Sequence, residues 1–171
     1  LAALLVFLFV AGMALFSAGG AWIFSRLRPG NTFVDPILFA AVWTLIEWLL
    51  TWFLTGFPWL FAGYAMIDTP LRELAPVGGV LLVGFAAVLT AACLTAWRSV
   101  SALIVAALPW LACWALAGTE WTNPVRSYSV ALVQGNITQE GKWRPENAEM
   151  IMERYAELSN PVWDREVVIW P

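Results

Sequence analysis

The chain contains no histidine, a single lysine and only two cysteines. Without an imidazole, Ser-His and Cys-His nucleophilic catalysis is excluded within these 171 residues. Cys93 and Cys113 stand in apolar runs and lack zinc-type spacing, so they read as small buried hydrophobes; no metal and no cofactor is expected. Charge is scarce as well. Charged residues make up 12% of the chain, where a soluble domain carries roughly 25%. The net charge of -3 argues against nucleic acid as a partner.

What the chain has instead is apolar length: 61% of its residues are hydrophobic and the mean hydropathy is +0.73. The distribution is uneven. Residues 1–118 hold four acids, Asp35, Glu47, Asp68 and Glu73, and four bases, Arg26, Arg28, Arg72 and Arg98. Residues 119–171 hold eight acids and five bases. The division predicts a membrane domain over 1–118 and a soluble portion over 119–171. The first residue is Leu1, within an apolar run, with no charged region ahead of it and no small-residue cleavage site behind it. A signal peptide is therefore not expected, and an internal segment of a longer protein is.

Four membrane helices are predicted, at about 1–25, 36–55, 76–97 and 100–117, since a span needs about 20 apolar residues. Arg26 and Arg28 stop the first. Asp35-Pro36 is expected to open the second, Asp as cap and Pro at the first helical position. Thr44, Glu47, Thr51 and Thr55 then fall on one polar stripe of that helix. Glu47 lies about 16 Å beyond Pro36, at 1.5 Å per residue, and an acid at that depth should face protein or a wet cavity. It reads either as an acid shaping a site or as a hydrogen-bonded packing residue. Gly56-Phe57-Pro58-Trp59 ends the helix, and Phe61 and Tyr64 continue an aromatic cluster that suits the membrane interface or a ledge for lipid chains. Asp68-Thr69-Pro70 caps a short turn, Leu71 to Ala75. The third span is rich in Gly and Ala, as packing helices are. Pro109 is expected to kink the fourth. Arg26, Arg28 and Arg98 fall on one side of this arrangement, which the positive-inside rule makes cytoplasmic.

Residues 128–133 read as a strand, Gln134-Gly135-Asn136 as its break, residues 145–158 as an amphipathic helix and residues 167–170 as a second, central strand. Together they form the opening of a βαβ unit. In open α/β folds chemistry sits beyond the carboxyl ends of strands, so the residue following Pro171 is expected to matter.

Val130-Ala131-Leu132-Val133-Gln134-Gly135-Asn136, followed by an amphipathic helix and Val167-Val168-Ile169-Trp170-Pro171, resembles the start of a carbon-nitrogen hydrolase (nitrilase-like) domain. Preceded by membrane spans and by Thr55-Gly56-Phe57-Pro58-Trp59, it is similar to the bacterial apolipoprotein N-acyltransferase family. Glu47-Trp48-Leu49, Trp52, Gly63-Tyr64, Ile67-Asp68, Pro70-Leu71, Leu74-Ala75-Pro76 and Lys142-Trp143 fit the same family. Leu50 stands where the family pattern has a basic residue, so a local salt bridge for Glu47 is not implied.

The resemblance implies a polytopic α-helical membrane domain followed by the start of a nitrilase-like α/β (α-β-β-α sandwich) domain. It implies an acyl chain moved from a phospholipid, through a Cys thioester, to the α-amine of an S-diacylglyceryl-cysteine on a lipoprotein. A Glu acts as base and a Lys supports the oxyanion. The family's Glu follows the Trp-Pro of the second strand, so it is expected directly after Pro171, with Lys and Cys further on. None of the triad is expected among Lys142, Cys93 and Cys113, and these residues alone are expected to be inactive. Phe57, Pro58, Trp59 and Tyr64 are expected to bind lipid, and Glu47, Gly56 and Gln134 to shape the site. The expected setting is a bacterial inner membrane with the soluble domain in the periplasm, and the partners are a phospholipid donor and a diacylglyceryl lipoprotein acceptor. The alternatives are a membrane-tethered nitrilase-like amidase, or a non-catalytic binding or transport module.

Overall fold

A computed structural model describes residues 1–171, in two compact units, Leu1–Trp121 and Thr122–Pro171. The first unit is helical. Its long helices are α1 (Ala2–Leu27), α2 (Val34–Leu49), α3 (Ala75–Thr95) and α4 (Val100–Leu116). Between α2 and α3 run three 3-10 turns, Phe53–Thr55, Ala62–Met66 and Pro70–Leu74.

Two stretches are long and apolar enough to cross a membrane, Ala2–Leu27 and Pro70–Thr95, each of 26 residues and with hydropathy 2.3 and 2.4. The second includes the turn before α3 and a break inside it. There Gly78 and Gly79 leave helical geometry, and Gly79, at φ 65° and ψ -167°, adopts a conformation that glycine alone takes readily. The other two helices are shorter: α2 has 16 residues and α4 has 17. At 1.5 Å per residue they reach about 24–26 Å, less than the ~30 Å of hydrocarbon.

Helix α2 stops at Leu49 rather than near 54–55. Leu54 (φ 49°), Thr55 (φ 77°) and Gly56 (φ 86°) turn the chain back, and Trp48 and Trp52 meet edge-on at 5.4 Å across the turn. Thr51 and Thr55 are therefore not on α2, and the polar stripe shrinks to Thr44 and Glu47. Nor is Asp35 the cap of α2. Its Oδ1 accepts from Gly30 N and Asn31 N at 3.1 and 3.3 Å, while Asn31 Oδ1 accepts from Phe33 N and Val34 N at 2.8 and 3.3 Å. The Asn side chain thus satisfies the orphan amides of the first turn. Before α3, Thr69 Oγ1 accepts from Leu71 N at 3.3 Å.

Helix α3 is the centre of this unit. Leu89 and Cys93 pack with Ala40 of α2 and with Ala102, Val105 and Ala106 of α4. Val83 and Ala86 pack with Leu71, Leu74 and Cys113. The many small side chains let the helices approach closely, as in membrane bundles. Helix α1 leans on α2 through Gly20, where an added Cβ would lie 3.1 Å from Ile46 Cγ1, and through the Phe24–Phe39 pair, edge-on at 5.3 Å. Leu4, Leu5, Val6, Phe7, Leu8, Phe9 and Val10 are all more than half exposed. An apolar surface so continuous belongs in lipid or against protein.

The second unit pairs β1 (Val130–Leu132) in parallel with β2 (Val167–Ile169), in the register Val130↔Val167 and Leu132↔Ile169. Both strands are shorter than their apolar runs. Between them lie α5 (Gln139–Lys142), which has no apolar periodicity to announce it, a 3-10 turn at Pro145–Asn147, and α6 (Ala148–Ser159). The strands are tied at their starts by an Arg126–Glu166 ion pair, with Ser129 N donating to Glu166 Oε2 at 2.9 Å and Glu166 N to Ser129 Oγ at 3.1 Å. They are tied at their ends through α6. Tyr155 stacks on Trp170 at 5.1 Å, and Trp170 Nε1 donates to the buried Ser159 Oγ at 2.9 Å. Of the face expected to be apolar on this helix, Tyr155 is buried and Met152 is 58% exposed.

Candidate functional site

The loop after α2 is fixed by its own backbone. Phe57 N donates to Leu50 O at 2.6 Å and Gly56 N to Phe53 O at 3.0 Å. Gly56 must be glycine twice over: its φ is 86°, and an added Cβ would collide with Thr51 O. Trp59 N donates to Phe57 O at 2.9 Å, a tight turn about Pro58. Leu60 follows at φ 63°. Two edge-on aromatic pairs join the loop to α1, Phe9–Phe57 at 5.2 Å and Phe16–Phe53 at 5.7 Å.

Glu47 holds the far side of the loop. It is buried, with 6% exposure, and its Oε1 accepts from Ala62 N at 2.8 Å and from Trp43 Nε1 at 2.9 Å. Its Oε2 has no hydrogen-bond partner and lies against Gly84 of α3, where an added Cβ would sit 3.1 Å away. Gly63 faces the same helix, and a Cβ there would collide with Val80 O. The turn Ala62–Met66 thus presses its backbone on α3, and Glu47 bonds the start of that turn to α2.

These contacts bring together Glu47, Gly56, Phe57 and Trp59, with Phe61 buried behind them and stacked on Tyr64 at 6.0 Å. Trp59 and Tyr64 are 68% and 54% exposed, so each offers a ring to its surroundings, and Pro58, just before Trp59, is exposed as well. Gln134 is in the other unit. It is exposed just past β1, next to Gly135, which is buried under the Tyr155 ring. Three participants lacked an individual sequence signal: Ala62, acting through a backbone amide, and Phe9 and Phe16, indistinguishable from other apolar residues of α1. Trp43 had one, since it lies one helical turn before Glu47. Cys93 and Cys113 are buried and unpaired, and no three His, Cys, Asp or Glu side chains form a metal-holding group.

A helix bundle with lipid-suited surfaces and a folded-back aromatic loop pinned by one buried acid is an integral membrane protein, here followed in the chain by a small α/β unit. The chain belongs to the apolipoprotein N-acyltransferase family: the family model described as Apolipoprotein N-acyltransferase N-terminal domain matches residues 1–93. Among curated relatives, the Apolipoprotein N-acyltransferase of Pseudomonas syringae pv. tomato is 42% identical over 182 aligned residues, which cover 100% of this chain and 36% of that protein. Its namesake in Methylococcus capsulatus is 40% identical, over 99% of this chain and 35% of the relative. That of Photobacterium profundum is 36% identical, over 95% and 32%. The chain thus spans about a third of the length of the curated relatives it matches.

Proposed function

We propose that the chain is part of an N-acyltransferase that moves an acyl chain from a phospholipid to the α-amine of an S-diacylglyceryl-cysteine on a lipoprotein. The observation that carries this reading is the overall identity of about two residues in five, over alignments that cover 99–100% of the chain, to proteins named Apolipoprotein N-acyltransferase. In this reading the 119–171 stretch opens a nitrilase-like domain in the periplasm, and the helices, four spans in all, sit in a bacterial inner membrane with Arg26, Arg28 and Arg98 cytoplasmic. Phe57, Pro58, Trp59 and Tyr64 meet the lipid donor, and Glu47 and Gly56 hold their loop in shape; Gln134, in the other unit, is a site-shaping residue on the family resemblance alone.

The chemistry needs a nucleophile, a base and an oxyanion donor beyond the groups described here. A Cys thiolate attacks the ester carbonyl, the bond to the glycerol oxygen breaks, and the lysophospholipid alkoxide leaves with the proton held by the base. The lipoprotein amine then attacks the thioester, the C–S bond breaks, an amide forms, and the amine proton passes to the base as the thiolate is restored. An apolar, aromatic surface such as this loop suits a donor that arrives from the bilayer.

The test is incubation of the full-length protein with acyl-labelled phospholipid and a diacylglyceryl-cysteine peptide. A hydroxylamine-sensitive acyl-enzyme and an N-acylated peptide are expected. Hydrolysis of a simple amide with no acyl transfer would replace this reading with a membrane-tethered amidase. Acyl adduct on Cys93 or Cys113 would refute the assignment of both cysteines to packing.

A further inference from the structure

Between α1 and α2, entirely within the membrane unit, runs an apolar groove of about 300 Å³. Its shape is set by three contacts already described. The two helices touch at Gly20 and Ile46. The loop closes over the top through Phe57, edge-on to Phe9, with Trp59 beside it at the mouth. At the other end Phe39 stands in the groove and is held there edge-on by Phe24. From Phe39 to its C-cap Leu50, α2 contributes about 16 Å of wall at 1.5 Å per residue.

Apart from the Ser17 side chain of α1, the wall offers little to a polar guest. The polar groups that α2 brings to it, Trp43 Nε1 and Glu47 Oε1, are bonded to each other at 2.9 Å. The remaining Glu47 oxygen is turned to Gly84, which does not line the groove. The groove opens beside the exposed rings of Trp59 and Leu60's side chain, among helices whose outer surfaces suit hydrocarbon. A cavity of 300 Å³ holds on the order of ten methylene groups, each taken at roughly the 30 Å³ that one water occupies in the liquid.

We infer that this groove binds one acyl chain of the phospholipid donor, entering past Phe57 and Trp59 with its methyl end against Phe39, and that Phe39 and Ala21, at the end away from the loop, set the chain length accepted. The identity of the donor rests on the acyltransferase reading; the groove and its floor rest on the geometry of α1 and α2. Ala21 is exposed on α1 and lines the groove between Gly20 and the Phe24–Phe39 pair, so a larger side chain there narrows the groove towards Phe39 from a position that α1 does not need for packing. Removing the Phe39 ring lengthens it.

Two measurements on the full-length protein test this. In the first, acyl transfer is compared for phospholipids with a series of saturated chain lengths. Ala21→Phe is expected to move the preference to shorter chains and Phe39→Ala to longer ones, with the ratio of kcat/KM between neighbouring lengths changing by about tenfold or more, as a methylene in an apolar pocket does. In the second, wild-type protein in vesicles of the donor phospholipid, carrying a diazirine at the acyl terminus, is irradiated and the adducts are mapped. Adducts on α1 and α2 near Ala21 and Phe39 are expected. Unchanged chain-length profiles in both folded variants, or adducts lying elsewhere, overturn the inference while leaving the acyltransferase reading intact. Adducts at this site only from a diazirine-bearing diacylglyceryl acceptor also overturn it. A wild-type protein that transfers no acyl chain refutes the acyltransferase reading instead, and the adduct map alone then decides the groove.

Discussion

Replacing Glu47 by leucine removes the single atom that joins α2 to the turn at Ala62. Oε1 accepts two hydrogen bonds, from Ala62 N at 2.8 Å and Trp43 Nε1 at 2.9 Å, and both donors lose their partner at once. A buried donor left unsatisfied costs about 1–3 kcal/mol, so the pair amounts to ~2–6 kcal/mol, reduced where the Trp43 indole, 45% exposed, finds another acceptor. The net expectation for Glu47→Leu is a loss of about 2–4 kcal/mol in the local stability of the loop. Glu47→Gln keeps an oxygen acceptor at the same place and should cost about 1 kcal/mol or less. The assay is hydrogen-deuterium exchange of the peptide covering Phe57 to Ala62, in the full-length protein, alongside thermal unfolding. For the leucine variant, exchange at Ala62 should accelerate by about thirtyfold or more, since 1.4 kcal/mol is a factor of ten. The glutamine variant should stay within about a factor of ten of wild type. A leucine variant that exchanges and unfolds like wild type would refute the claim that Glu47 holds the loop.

The remaining expectations concern other residues. Trp59→Ala should slow acyl transfer while leaving unfolding nearly unchanged, because the ring is 68% exposed and supports little packing; unchanged transfer by the folded variant would reduce Trp59 to an interface anchor. Ser159→Ala should destabilise the α/β unit by about 1 kcal/mol, since Trp170 Nε1 loses its acceptor on the buried Ser159 while the Trp170 residue itself is 39% exposed; exchange around Trp170 as slow as in wild type would contradict it. With Cys93 and Cys113 replaced by alanine, a membrane-impermeant thiol reagent applied from the periplasmic side should label Asn123→Cys and spare Arg28→Cys. The opposite pattern would invert the orientation.

Much of the helical layout was legible because membrane helices are written in long apolar runs, and α1, α3 and α4 follow those runs closely. The end of α2 was not. Leu50 to Thr55 carries no Gly or Pro, so nothing local forbids helix there; the turn is imposed by Gly56 and Pro58 downstream and by rings meeting across it. The Gly78-Gly79 pair was legible as glycine, but its meaning was read as packing rather than as a break. Asp35 misled for a similar reason: Asp and Asn share capping chemistry, and only the loop geometry decides that Asn31 reaches the first turn. At the site, Gly56 to Trp59 announced a turn through its own residue types. The grip of Glu47 on Ala62 spans 15 residues and ends on a backbone amide, which every residue but proline offers, so no sequence pattern marks it. Ser159 carries no signal of its own, because a serine at a helix end resembles any other polar stop and its partner Trp170 lies 11 residues away.

The loop between Leu54 and Leu60 contains three non-glycine residues with positive φ: Leu54, Thr55 and Leu60. Each such residue costs about 1–3 kcal/mol of backbone energy and persists only where its surroundings over-determine it. Here those surroundings are few and separate: the Phe57–Leu50 backbone bond, the Phe9 and Phe16 rings on α1, and the Glu47 carboxylate on α2. The loop is therefore expected to open as one cooperative unit, with the amides of Gly56, Phe57, Trp59 and Ala62 exchanging together and faster than those of the α3 core. Motion of α1 against α2 pulls on the same contacts, so the width of the groove and the state of the loop above it are two readouts of one equilibrium.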